Sequence, residues 1–136
     1  MVTEPAGTKH EAPALPNCPG APFSFTNRYK QIIFLGRFRG DWCNTTADGI
    51  NEAGLSASVL YFKDNAEYID PSDISGAECD NAIPQTMIAA YVLAIYKTVK
   101  QVKEDLESGK FPAVWAGYDM GTVLPMHFNI IDKSGA

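Results

Sequence analysis

The sequence predicts a single α+β domain, and three observations support that class. Apolar, β-branched runs of strand length recur along the chain, and two later segments carry apolar residues at helical spacing. The 136 residues suit one domain, and 46% hydrophobic against 20% charged residues is the balance of a globular chain that buries a core. A disordered chain is therefore disfavoured.

The first 22 residues are predicted to form an extended, loosely held segment ahead of a folded domain at residues 23–136. Five prolines lie among small residues there: Pro5, Pro13, Pro16, Pro19 and Pro22. Each proline fixes its own φ angle and removes a backbone donor, which disfavours a central strand.

Two strands are predicted in the first half of the domain. Residues 31–35 form an apolar, β-branched run with glycines beyond it. Residues 41–51 include two threonines and the pair Asp48-Gly49, a set typical of turns. Residues 55–62 first alternate apolar with small polar side chains and then become apolar throughout. That pattern predicts a strand covered on both faces toward its end.

Two helices are predicted after a polar surface loop at residues 63–81. Pro84 suits the first turn of the first helix, whose packing positions share a helical spacing. Those positions are Met87, Ile88, Tyr91, Val92 and Ile95. The second helix is the best marked element, because Thr98 and Gln101 form a capping-box pattern and Gly109 is placed to end it.

Two further strands are predicted near the end of the sequence. Residues 111–114 form a short apolar run, and residues 126–132 alternate polar with apolar side chains. Residues 133–135 then form a turn.

Charge and hydropathy exclude several classes of partner. The formal net charge is −5 and the isoelectric point is near 4.9, so the surface repels nucleic acid and anionic lipid. The longest apolar stretch, residues 87–96, is shorter than the roughly 20 residues that span a bilayer. Residues 1–16 lack the apolar core of a secretory signal. We therefore expect no nucleic acid partner, no membrane insertion and a cytoplasmic location.

The three cysteines, Cys18, Cys43 and Cys79, lie far apart in the sequence. No pair has the close spacing of a zinc site or a redox loop, so neither a metal nor another cofactor is expected. An odd number of cysteines also argues against a disulfide-stapled scaffold. The sequence predicts three reduced thiols, with Cys43 as a buried, inert one.

One segment carries a specific resemblance, the turn at residues 48–55 that runs into the strand ending at Phe62. It reads Asp48-Gly49-Ile50-Asn51-Glu52-Ala53-Gly54-Leu55. This resembles the Asp-Gly-Met-Asn-Glu-x-Gly-Leu turn of the choloylglycine hydrolase and penicillin V acylase family. Supporting pieces follow in the family's order at residues 25–29, 98–106 and 127–135, so the resemblance covers residues 23–136.

The resemblance implies a fold and an activity. Family members form an αββα four-layer sandwich and cleave linear amides such as penicillin V and conjugated bile salts. An N-terminal cysteine attacks the carbonyl while its own α-amine accepts the proton, and nearby donors hold the oxyanion. The expected partner is a small-molecule amide, and this chain would represent the central part of such an enzyme.

Carried over by position, Tyr61 is the best candidate catalytic and substrate-binding residue. It matches a strand position that is tyrosine in penicillin V acylases and asparagine in bile-salt hydrolases, where the side chain faces the substrate and the oxyanion. Asn51 is the second candidate for substrate binding, although its place in the turn favours a structural role for it and for Glu52.

The family's nucleophile has no evident counterpart, because Met1 is followed by Val2. Cys18 could be cast as the nucleophile and residues 36–42 as the family's Gly-Arg-x-x-Asp-Trp motif. That reading has one residue too many before the aspartate and too little chain before Asp48. The chain alone is therefore expected to be inactive, and exposed apolar sheet edges are expected to favour self-association.

Other interpretations of these residues stay open at this point. Tyr61 also suits a core aromatic with a tethered hydroxyl, and His127 suits a packed residue on an alternating strand. Asn44 begins a glycosylation sequon, which has meaning only in a eukaryotic secretory protein. The alternative function is a non-catalytic binding domain, or a truncated, inactive piece of the enzyme.

Overall fold

The structure is a computed structural model that describes residues 1–38, 41–119 and 121–136, with backbone alone at 37–38 and 41–44. Its strands in the first half are β1 (Val2–Glu4), β2 (Lys9–Glu11), β3 (Ser24–Thr26), β4 (Gln31–Phe38), β5 (Asp41–Asn51) and β6 (Ser56–Tyr61). The second half contains β7 (Ala82–Pro84), α1 (Ile88–Ile95), α2 (Val99–Ser108), β8 (Ala113–Trp115), β9 (Tyr118–Asp119), β10 (Thr122–Val123) and β11 (Met126–Ile131). The α+β class predicted from the sequence is confirmed.

A five-stranded antiparallel sheet organises the molecule, with the strand order β1-β4-β5-β6-β11. Alternation along each strand sends one set of side chains toward the helices, including Ile33 and Ala57, both of which are buried. The helix α1 packs across β5 and β6, and its Val92 and Leu93 are fully buried in the same core. This arrangement amounts to one helical layer on one sheet.

The opposite face of this sheet carries exposed apolar side chains. Phe34, Ile50, Leu60 and Ile131 are between 44% and 53% exposed. The prediction that the end of the second strand is covered on both faces is wrong within this chain, because Leu60 and Tyr61 are both exposed. No second layer packs on this face among the described residues, although its composition suits burial.

Residues 41–51 are a strand and not the predicted turn. They form β5, which pairs with β4 from Gln31 opposite Asn51 to Phe38 opposite Asp41. The pairing register shifts on both sides of Leu35, which lets the two strands stay paired although their regular alternation is interrupted there. Pairing with β4 thus decides the conformation of residues 41–51 against their turn-like composition. The glycine of the segment serves close packing, because a Cβ at Gly49 would lie 2.7 Å from Leu93 Cδ1.

The helices follow the sequence signals except at the first start. α2 is confirmed with Thr98 as its N-cap, whose hydroxyl accepts a hydrogen bond from Gln101 N at 3.3 Å, and Gly109 ends it at φ 75°. Pro84 does not open α1. It ends β7, which pairs in parallel with β8, and a 3-10 turn at Gln85–Met87 separates it from the helix.

The last predicted strands and turn agree with the structure. Residues 126–132 correspond to β11, and residues 111–114 correspond to the short β8 with a shift toward Trp115. The turn after β11 closes through a hydrogen bond from Gly135 N to Asp132 O at 3.0 Å. Among the described residues, no helix has the length and apolar character needed to cross a membrane.

The prediction of three reduced thiols is wrong, because Cys18 and Cys79 form a disulfide with their Cα atoms 5.5 Å apart. The two are separated by 61 residues, so only the fold brings them together. The side chain of Cys43 lies outside the described part of the chain. The N-terminal segment is not loosely held, since β1 joins the main sheet.

Candidate functional site

Tyr61 is the last residue of β6 and stands at an open end of the main sheet. Its Cα partner across the sheet is Met126, the first residue of β11, and pairing continues from Phe62 N to Pro125 O at 3.0 Å. The Tyr61 side chain is 68% exposed, so it is not a core aromatic in this chain. A phenol held on a paired strand and open on its outer side can donate a hydrogen bond to a bound carbonyl oxygen.

Tyr68, which sequence reasoning missed, fixes the strand beside Tyr61. Its hydroxyl donates to Met126 O at 2.6 Å and accepts from Met126 N at 2.8 Å. Burial raises the pKa of the Tyr68 phenol, which keeps it protonated and able to donate. The residue opposite Tyr61 is therefore held both by β6 and by the loop that follows β6.

Asn51 is buried, and its side chain is fully occupied by backbone groups. Its Nδ2 donates to Leu93 O at 2.9 Å and to Tyr96 O at 2.8 Å, at the end of α1. Its Oδ1 accepts from Ala53 N and Leu55 N, each at 3.1 Å. With 4% of the residue exposed, Asn51 ties the turn before β6 to the helix, and no hydrogen-bonding group is left for a ligand.

Two other polar residues of this segment also accept hydrogen bonds, Glu52 in the turn itself and Asp48 on β5 just before it. Glu52 accepts from Lys30 N at 2.9 Å through its Oε1, which joins the turn to the start of β4. Asp48 accepts from Gly49 N at 2.8 Å and from the Ser58 hydroxyl at 3.3 Å. The turn that carries the sequence resemblance is thus a structural clamp that sets the start and direction of β6.

His127 lies on the exposed face of β11, with its ring centroid 4.7 Å from that of Phe62. It makes no described hydrogen bond and does not face the helical core, so it is neither the packed, hydrogen-bonded residue of one interpretation nor part of a paired base. Cys18 is also unavailable as a nucleophile, because its sulfur is bonded to Cys79 and a thiolate is the reactive form.

A polar cluster near the N-terminus is the second feature that the sequence did not reveal. His10 Nε2 lies 3.0 Å from both Glu4 Oε2 and Asn27 Oδ1, and Gln31 Nε2 donates to Glu4 Oε2 at 2.7 Å. His10 Nε2 therefore lies between two acceptor oxygens. The cluster joins β2 to the main sheet far along the chain from Tyr61, and it holds the N-terminal segment in place.

A groove of about 520 Å³ runs along the helical side of the sheet, between α2 and β11. Its walls are mainly apolar and include Leu106, Phe111, Phe128 and Ile130, and Tyr68 also lines it. Within the described ranges, no cluster of three or more His, Cys, Asp or Glu side chains has the geometry to hold a metal ion.

Comparisons with known proteins give a family and a set of solved structures. Residues 25–136 match the model of the linear amide C–N hydrolases, choloylglycine hydrolase family. The structure resembles penicillin V acylase from Agrobacterium tumefaciens, with a TM-score of 0.70 and 26% sequence identity, over 98% of this chain and 35% of that one.

Conjugated bile acid hydrolase from Clostridium perfringens is similar to the same degree. One variant of it matches with a TM-score of 0.66 and 26% identity over 98% of this chain and 37% of that one. A second variant gives a TM-score of 0.70 and 25% identity over 98% and 36%. The chain therefore spans about a third of the length of these structures. No curated protein matches it.

Proposed function

Because the chain belongs to the choloylglycine hydrolase family of linear amide C–N hydrolases, we propose that it forms the substrate-facing middle part of an amidase. The fold agrees with this assignment, since its helical layer and sheet are part of an αββα sandwich. The substrates are linear amides of the penicillin V or conjugated bile salt type. An N-terminal cysteine of the whole enzyme, outside the residues matched here, is the nucleophile.

The position of Tyr61 is the observation that carries the proposal. The side chain projects from the end of a strand whose course is fixed at both ends, and 68% of it is exposed. A buried tyrosine with a tethered hydroxyl would have argued for a packing role. An exposed phenol on a rigid element suits a group that meets a substrate.

The chemistry assigned to Tyr61 is donation of a hydrogen bond to the oxyanion. When a thiolate attacks an amide carbonyl, the oxygen gains negative charge, and a donor already in place stabilises that charge more than it stabilises the ground state. Asn51 contributes to substrate binding indirectly, because its four backbone hydrogen bonds position β6 and so position Tyr61.

The test is a chimaera in which residues 25–136 replace the matching segment of the Agrobacterium tumefaciens penicillin V acylase. We expect it to release amine from penicillin V, and the assay is repeated with glycine- and taurine-conjugated bile salts. Circular dichroism and thermal melting establish that the chimaera folds. A chimaera that melts cooperatively and hydrolyses neither substrate class contradicts the proposal.

The chain by itself is the matched control. We expect it to release no amine, because Cys18 and Cys79 are joined and the nucleophile comes from elsewhere in the enzyme. Turnover by the chain alone that is lost on thiol alkylation would instead place the nucleophile within it. Saturable binding of substrate by the chain without turnover, together with an inactive chimaera, would favour a non-catalytic binding domain.

Self-association of the isolated chain is a further part of the proposal. The exposed apolar face with Phe34, Ile50, Leu60 and Ile131 suits contact with a second sheet, and a second copy offers such a sheet. We expect sedimentation velocity to show oligomers that grow with concentration, and Ile50→Lys to shift the distribution toward monomer. An unchanged monomer over the whole concentration range contradicts this expectation.

A further inference from the structure

A second, smaller core lies where the N-terminal segment meets the loop at residues 62–81, which follows Tyr61. Ile74, Ala82 and Trp115 are buried there, and Leu15 and Cys18 pack against them. Asn17 Nδ2 adds a hydrogen bond to Ser72 O at 2.6 Å. Side chains from the N-terminal segment therefore cover an apolar cluster that the loop leaves open.

The disulfide between Cys18 and Cys79 closes this contact covalently. Cys18 lies beside Leu15 in the smaller core, and Cys79 lies in the 3-10 turn Gly76–Asp80 at the far end of the loop. The near end of the loop is held by Tyr68 on Met126 and by a parallel bridge between Ile69 and Trp115. The loop is thus anchored at both ends.

We infer that this disulfide is a permanent clasp, formed in an oxidising compartment, which fastens residues 12–22 onto the loop that follows Tyr61. Structural disulfides persist outside the reducing cytosol, so the inference replaces the cytoplasmic location expected from the sequence. It does not depend on the proposed function, because it rests on the bond between Cys18 and Cys79 and on the smaller core alone. The disulfide therefore restricts movement of the loop at residues 62–81 relative to the open end of the sheet, where Tyr61 lies.

Formation of the clasp requires a disulfide donor such as oxidised glutathione or an oxidised dithiol protein. The thiolate of one cysteine attacks the donor's disulfide, forms a mixed disulfide and expels one donor thiolate. The thiolate of the second cysteine then displaces the other donor sulfur. The cysteine pair loses two electrons and the protons of both thiols, and the donor is reduced to two thiols.

The first experiment tests the bond in the full chain, secreted into an oxidising compartment and purified without reductant. The protein is denatured, alkylated and mapped by peptide mass spectrometry. We expect the peptides of Cys18 and Cys79 to be linked and unalkylated until a reductant is added, also after equilibration in glutathione at the ratio of a secretory compartment. Free, alkylated Cys18 and Cys79 under those conditions overturn the inference.

The second experiment tests the clasp by hydrogen–deuterium exchange on the folded protein with and without a mild reductant. We expect reduction to speed exchange about tenfold or more in residues 12–22 and 62–81, and to leave residues 99–108 unchanged. Cys43→Ser is the matched control and keeps the oxidised pattern, whereas Cys18→Ser with Cys79→Ser reproduces the reduced one. Exchange that is unchanged by reduction, or raised equally everywhere, contradicts the clasp.

Discussion

Asn51 ends β5 just before the turn into β6, Tyr61 ends β6, and the two residues occupy opposite environments. Asn51 is 4% exposed, and its side-chain amide forms hydrogen bonds only with backbone groups. Tyr61 is 68% exposed at the open end of the sheet. From the sequence, Asn51 is expected to have mainly a structural role in the turn, and Tyr61 is the best candidate site residue, with a core aromatic as the other interpretation. The hydrogen bonds of Asn51 agree with the structural role, and the exposure of Tyr61 argues against the core interpretation, so the turn supports the strand and the strand end presents the candidate site.

Loss of the Asn51 side chain is the change expected to have the largest effect on stability. Asn51→Ala leaves two carbonyls and two amides without their partner in a buried place, so we expect a loss of roughly 3 kcal/mol or more in unfolding free energy. Urea denaturation measures it. Asn65→Ala, in the exposed loop after β6, is the control and should change little. A stable Asn51→Ala protein would show that the turn is not a clamp.

Tyr68→Phe is expected to have an intermediate effect. It removes the hydroxyl that bonds both Met126 N and Met126 O, at a cost of about 1–2 kcal/mol. Exchange at the Met126 amide should rise as well, because that end of β11 loses its second anchor. Tyr118→Phe, at an exposed tyrosine on β9, controls for loss of a phenol. Equal melting temperatures for the two variants would show that the hydrogen bonds between Tyr68 and Met126 do not stabilise the fold.

Asp132 predicts a smaller effect that depends on pH. Hydrogen bonds from the Ser134 hydroxyl, Val99 N and Ser134 N hold the pKa of the Asp132 carboxyl below its ordinary value. A lowered pKa contributes stability above the unfolded value of about 3.9, and that contribution is lost as the pH falls through the folded pKa.

Thermal melts of wild type and Asp132→Asn check this prediction. We expect the variant to melt lower at neutral pH and the difference to shrink below about pH 4, where the unfolded carboxyl is protonated. Asp64→Asn, at an exposed position in the loop after β6, should show no such convergence. A difference between wild type and Asp132→Asn that is constant with pH contradicts the assigned cause.

The sequence predicted the local elements better than the tertiary ones. Residues 31–35, the Thr98 cap and Gly109 carry signals within a few positions of themselves, and the structure confirms the strand and the helix they mark. β5 was missed because its turn-like residues are held extended by pairing with β4 and by the space that Gly49 leaves for Leu93. Pairing of this kind has no local signal.

Only part of the candidate site could be predicted from the sequence, because contacts between distant residues leave no local signal. Tyr61 was identified from its place after the Asp48 turn, which is a local motif. Tyr68 and the bond between Cys18 and Cys79 depend on contacts across 58 and 61 residues, and nothing in their spacing marks them. The odd number of cysteines was the argument against disulfides. It shows only that at least one thiol is unpaired, and it does not exclude a bond between the other two.

If the Tyr61 phenol meets the reacting carbonyl, a single substitution in the chimaera reveals it. Tyr61→Phe should keep the melting temperature, since the side chain is exposed, and lower kcat for penicillin V about 10²-fold through loss of one oxyanion donor. Tyr118→Phe, at a tyrosine that is 72% exposed, should leave kcat unchanged. Equal kcat values for the two variants would contradict a contact between Tyr61 and the reacting carbonyl.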